Sequence, residues 1–297
     1  MPLTRNCAAQ RLFAPIYPPF RFKLAMVEQV TSLVIRRQMR HRFFHPFCHV
    51  LMSRPRLEHL IYEPWRQGKP TEVSFEDEAC IAIITKCLSP SLKSLAVFED
   101  FNHDFTQGPR NVNRKLAGAF AARSVPLKEL AVSHMIDAEA FFHTKNYTKD
   151  RDWIWPDLES LALTAQLLCG PDLEEIPMFL ASAAATALKM PKLKTMVLWY
   201  GDEGVASAFI YQMGRCCATV SWRGTWKLDF DKFPGVVEAW TGGARERGLD
   251  LRVEGYGGVE EEIESHGDAI HYLGLPCQVA TPASLWQIRK ECARWCS

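Results

Sequence analysis

PDLESLAL, at residues 156–163, decides how the chain is read, because the same phrase recurs along it. PRLEHLIY stands at 55–62, PSLKSLAV at 90–97, PLKELAV at 126–132 and PKLKTMVL at 191–198. The shared core is a Leu, a Lys or Glu, any residue, a Leu or Met, any residue, then an apolar one. The first leucines, Leu57, Leu92, Leu127, Leu158 and Leu193, are spaced by 35, 35, 31 and 35 residues. Weaker copies, VTSLVI at 30–35, CATVSW at 217–222 and GLDLRV at 248–253, extend the array both ways. Near-constant spacing of this kind marks a repeat architecture, in which one supersecondary unit recurs.

The chemistry of one unit is legible. The fourth and sixth positions are apolar and two apart, so both point to one face of a short strand. The proline ahead of the first Leu cannot continue a helix and separates helix from strand. This predicts strands near 31–36, 58–63, 93–98, 128–133, 159–164, 194–199, 218–223 and 249–254. Between them the apolar period changes to that of a helix. Ser74 and Asp77 resemble a capping box ahead of Ala79, Ile83, Ile84, Cys87 and Leu88. Helices are also expected over Ile176–Leu188, Val205–Cys216, Pro234–Arg245 and Val259–Leu273.

Strand and helix alternate, so the fold class is α/β. The expected architecture is a leucine-rich-repeat-like solenoid of about eight strand-helix units with a parallel sheet. Residues 1–28 are expected to form a poorly ordered tail, 29–276 the repeat domain, and 277–297 a C-terminal capping segment with a helix. The fifth repeat position should face outward, yet it reads Val34, Ile61, Ala96, Ala131, Ala162, Val197, Ser221 and Arg252. Strands apolar on both sides also suit a doubly wound α/β sheet, which is the alternative. No glycine-rich phosphate loop follows any strand to support it.

Composition narrows the function classes. The chain has 297 residues, 47% hydrophobic and 23% charged, with a net charge of +1. That balance gives no electrostatic reason for nucleic acid or an anionic membrane as partner. No segment approaches a membrane span. The 10 cysteines show no disulfide framework, so a reducing compartment, cytoplasmic or nuclear, is expected.

The chain is similar to fungal F-box-type proteins with divergent leucine-rich repeats, and especially to a fungal domain family of unknown function. RLEHLIYEPWR (56–66), LKSLAVFEDFN (92–102), LESLALTAQLL (158–168), PKLKTMVLWYG (191–201), VSWRGTW (220–226), SHGDAIHYLGLP (265–276) and SLWQIRKE (284–291) carry the resemblance. In F-box proteins a three-helix N-terminal F-box binds a Skp1-type adaptor of a ubiquitin ligase, and the repeats bind the substrate. Residues 1–28 are too short for that module, which leaves a Skp1-type adaptor doubtful. The resemblance implies a protein-recognition module, not an enzyme, whose protein partner is unknown. The alternative is an α/β enzyme or small-molecule binder without a recognisable motif.

Binding would use the strand C-terminal ends. The seventh repeat position supplies Arg36, Glu63, Phe98, Trp199 and Arg223, and Tyr200 follows Trp199. Trp199, Tyr200 and Arg223 are expected to be near neighbours, the competing expectation being that Trp199 packs under the C-terminal segment after Pro276. No catalytic, cofactor or metal residues are nominated. His41, His45, Cys48 and His49 read as a basic helix entry. His266 and His271 are five apart, do not share a helix face, and read as satisfied or surface histidines. Gly255, Gly257 and Gly258 read as a turn, and Cys292 belongs to an apolar stripe with Leu285, Ile288 and Trp295.

Overall fold

The computed structural model describes residues 24–39, 45–66, 70–101, 110–143, 153–172, 174–277 and 279–295. Most of the expected N-terminal tail and His41 lie outside these residues. Among these residues the chain is a mixed α/β structure built on one open, mostly parallel sheet of ten strands. Six strands come first: β1 (Ser32–Ile35), β2 (His59–Tyr62), β3 (Ser94–Phe98), β4 (Glu129–Ser133), β5 (Ser160–Thr164) and β6 (Thr195–Asp202). They lie side by side in chain order, each parallel to the next.

The ladder registers the repeats on one another. Leu60 pairs with Leu95, Leu95 with Leu130, Leu130 with Leu161 and Leu161 with Met196, all fourth positions of the phrase. The intervening helices are α1 (His45–Met52), α2 (Pro70–Lys86), α3 (Arg114–Ser124), α4 (Ala138–Phe142) and α5 (Glu175–Ala187), with α6 (Pro234–Glu246) later. Leu51, Ile83, Phe120, Phe141, Leu180 and Trp240 from these helices share one core with the fourth and sixth strand positions. Leu95, Leu130, Leu161 and Met196 are buried at its centre. Each cut to Ala is expected to cost about 2–5 kcal/mol in urea unfolding. Losses under about 1 kcal/mol at all four would mean that the repeat does not organise this core.

Two helices of the sequence reading are corrected. Residues 205–216 do not form a helix; Val205–Met213 is strand β7, antiparallel to β6 and to β8 (Cys217–Gly224). The physical reason is a period of two: Ala206 and Ala208 are buried in one layer while Phe209 and Tyr211 are buried in the other. Only Glu203 and Gly204 join the strands, and Gly204 takes φ +74°, the left-handed turn geometry open to glycine. Residues 259–273 are likewise not one helix. Helix α7 spans only His266–Tyr272, because Ser265 caps it by accepting the Asp268 N–H at 3.1 Å. The far edge of the sheet is β9 (Asp250–Val253) and β10 (Gly257–Gly258), which pair with successive parts of β8.

The second face of the sheet explains the apolar fifth positions. Ala131, Ala162 and Val197 are buried there with Phe98, Trp199, Ala206 and Ala208. The cover comes from residues 263–280, including α7, and from Ile288 on α8 (Pro282–Trp295). A doubly wound sheet would reverse its strand order and alternate its crossovers between faces. Here the order of β1–β6 never reverses, and the second layer is a single return of the chain. Two glycines let it settle: a Cβ on Gly201 of β6 would overlap Ala269, and one on Gly267 would lie 2.6 Å from Ile288.

Candidate functional site

Loops follow the parallel strands at their C-terminal ends, and among the described residues they carry most of the buried charge. Beyond β2 come Glu63, Trp65 and Arg66; beyond β3 come Glu99, Asp100 and Phe101. A parallel bridge between Trp65 and Asp100 prolongs the pairing, so the loops leave the sheet together.

One group of these residues ties the second layer down. Asp100 is fully buried; it accepts from Arg37 Nε, and its Oδ1 lies 3.0 Å from His266 Nε2. Arg37 reaches on to Glu291 of α8 in a two-pronged ion pair at 3.0 and 2.8 Å. Burial works to lower the Arg37 pKa, but Asp100 and Glu291 together hold it above its ordinary value. Glu63, also fully buried, accepts from the Arg37 backbone N–H at 3.1 Å and from the Thr281 and Ser284 hydroxyls.

The second group surrounds a cavity of about 240 Å³. Its walls come from successive strand ends: Arg66 after β2, Phe101 after β3, His134 and Ile136 after β4, Thr164 and Gln166 at the end of β5, and Tyr200, Gly201 and Asp202 on β6. Arg110, just ahead of α3, completes the wall. The lining is braced from behind. His134 N–H donates to Thr164 Oγ1 at 2.9 Å, which donates to the Ile136 carbonyl at 3.1 Å. Gln166 Nε2 donates to the Arg110 carbonyl at 3.0 Å.

Electrostatics differ across the cavity. Arg110 pairs with both Asp77 and Glu99, and Asn113 holds the other oxygen of Asp77 at 2.7 Å. Arg66 lies 3.7 Å from Glu99 and stacks over Phe101 at 4.5 Å. Geometry therefore gives Glu99 two cationic neighbours, yet its carboxyl is pushed up to about 8. Burial dominates, with the Arg66 charge opposing it and Glu76 adding to it. Burial also brings Arg110 down to about 10. On the β6 side the Tyr200 phenol is pushed up to about 12, first by burial and then by Asp202. It therefore stays a neutral donor at physiological pH.

His134 is the strained member, a non-glycine residue at φ 61°. Such geometry costs of order 1–3 kcal/mol and survives where surrounding structure enforces it. Phe98, Phe101, Trp199 and His266 do so, with ring centroids 5.6, 5.0, 5.1 and 5.5 Å away.

The residues nominated from sequence scatter. Phe98 and Trp199 are buried under the second layer, and Glu63 is inside the polar seam, so none of the three lies on an open concave surface. Trp199 shares its cluster with Ala269, Ile270 and Leu273, which precede Pro276, and with Val279, Ala280 and Ile288, which follow it. Tyr200 lines the cavity, while Arg36 and Arg223 are exposed outside it. Trp199 and Arg223 are not neighbours across one strand pair, because Ala208 of β7 lies between them in register. His266 is buried and hydrogen-bonded, as a satisfied histidine would be, but it also stacks on the cavity residue Phe101 at 4.6 Å. His271 lies outside this set. Among the described residues no group of three or more His, Cys, Asp or Glu side chains could hold a metal ion. No helix of the described residues is long and apolar enough to cross a membrane. Arg66, Arg110, His134 and Asp202 were not picked out by the sequence reading. The available signal was the recurrence of acids directly after buried strands, at Glu63, Glu99 and Asp100.

A family model described as a family of unknown function (DUF6546) matches residues 87–281. No curated protein and no solved structure matches the chain.

Proposed function

The chain belongs to this family of unknown function, and since the family lends it no activity, we propose from its own geometry that it binds a small polar molecule. The observation that carries this reading is the cavity of about 240 Å³ in which side chains from five successive strand ends converge. Ligand pockets combine apolar walls with a few placed polar groups. Phe101 and Ile136 supply the apolar wall here, and Arg66, Arg110, Gln166 and Tyr200 the polar groups.

A recognition module of the leucine-rich-repeat or F-box kind is the second reading. The in-order parallel strands, registered repeat on repeat, suit a repeat array and say nothing of an F-box. The cavity is preferred because the row that a protein partner would use is largely covered, with Glu63, Phe98 and Trp199 buried.

The test is a fragment screen of the full chain by saturation-transfer NMR, repeated on Gln166→Phe. Gln166 is half-buried on the cavity wall, so the larger ring fills the space without cutting the core. Fragments are expected to bind the parent and to be lost from the variant. Fragments that bind both equally, or none at all, would sink the reading.

A further inference from the structure

Resting on that reading, we propose that the cavity takes a small anion, a carboxylate or phosphate monoester on a flat body, with Arg66 and Arg110 gripping the charged end. Both guanidinium groups belong to residues that are 6% and 8% exposed, and both line the cavity. Two cations are rarely placed together in so dry a site without anionic partners. The partners present do not use them fully. Among the described residues, Arg110 is held by Asp77 and Glu99, but Arg66 shares only Glu99, at 3.7 Å, beyond hydrogen-bond reach. The Arg66 Nε is buried with no hydrogen-bond partner among the described residues. The fork of Arg66 is therefore the one left for a ligand. The planar fork of an arginine matches the paired oxygens of a carboxylate or phosphate, and stacking on Phe101 fixes the plane of this one.

The rest of the lining sets the shape. Phe101, His134 and Tyr200 present rings to the space, which suits a flat, partly apolar body. Asp202 stands at the far side on β6, so a second negative charge there would be repelled. A volume of about 240 Å³ equals about eight water molecules, room for about ten non-hydrogen atoms.

Calorimetric titration of the full chain with benzoate, phenyl phosphate, benzamide and inorganic phosphate tests this. Benzoate or phenyl phosphate is expected to bind about tenfold or more tightly than neutral benzamide. The order of the two identifies carboxylate or phosphate as the preferred group. Arg66→Gln, checked for folding by its thermal melt, is expected to remove that preference, so that benzoate and phenyl phosphate bind no more tightly than benzamide. Should that variant not fold, Arg66→Lys keeps the charge and loses the fork, and it is expected to weaken the anions about tenfold. Equal affinity for benzamide and the anions, or anion binding indifferent to the Arg66 variants, overturns the anion assignment while leaving the cavity in place. Inorganic phosphate binding as tightly as phenyl phosphate overturns the flat body. Failure of every probe overturns the proposal, and the fragment screen then decides whether the cavity reading falls with it.

Discussion

Asp100→Ala is expected to lower the unfolding free energy by about 3–5 kcal/mol, among the largest effects of any single substitution in the chain. The carboxylate is fully buried and serves two partners at once, Arg37 Nε and His266 Nε2. Among the described residues its removal leaves the buried Arg37 guanidinium with only the half-exposed Glu291 to balance its charge. It also leaves His266 without its acceptor on the underside of α7. Breaking one partner of a buried pair costs more than the pair contributes, because the remaining charge stays out of water. Asp100→Asn separates charge from shape, since it keeps an acceptor for His266 but not the charge facing Arg37. Urea unfolding of both variants is the measurement. A loss under about 1 kcal/mol for Asp100→Ala would show that the second layer is held by apolar packing alone.

Trp199→Ala is expected to cost about 3–5 kcal/mol, the range for an aromatic core residue cut to Ala. The indole is fully buried between the sheet and α7, in the same cluster as Ala269 and Leu273. It also meets the ring of His134 edge-on at 5.1 Å, so its loss removes one constraint on that strained backbone. The indole N–H has no hydrogen-bond partner among the described residues. Trp199→Phe therefore removes an unpaired donor along with some volume, and is expected to cost well under half as much. Differential unfolding with limited proteolysis between residues 257 and 282 would follow detachment of the layer. A Trp199→Ala protein as stable as its parent would mean that the second layer does not bear on the sheet.

The parallel array was legible because each copy of the phrase is a local object. A proline stop, two apolar residues two apart and a fixed return interval suffice to place a strand. The hairpin escaped because Val205–Met213 is apolar nearly throughout, and a short apolar run does not declare its period. Only the two-residue loop with Gly204 betrayed it. The apolar fifth positions were a true signal whose cause was non-local. Nothing in Ala131 or Val197 says whether a crossover helix or a distant return covers it. The same distance hid the site. Glu63 meets Ser284 across 221 residues and Asp100 meets His266 across 166, and neither pairing leaves a mark on its own neighbourhood in sequence.

The latch between Arg37 and Glu291 joins residues 254 positions apart, whereas adjacent parallel strands from β2 to β6 are only about one repeat apart. On a ribosome these two kinds of interaction come due at different times. Strands β1–β6 can pair as they emerge, but the acids at 63 and 100 and the indole of Trp199 wait for the segment from Ile263 to Ile288 before they are covered. Until then the nascent sheet carries a bare apolar face and uncompensated charge, the condition in which partly made chains aggregate or recruit chaperones. The arrival of the segment from Ile263 to Glu291, rather than the closing of any strand pair, is what completes the covering of the sheet.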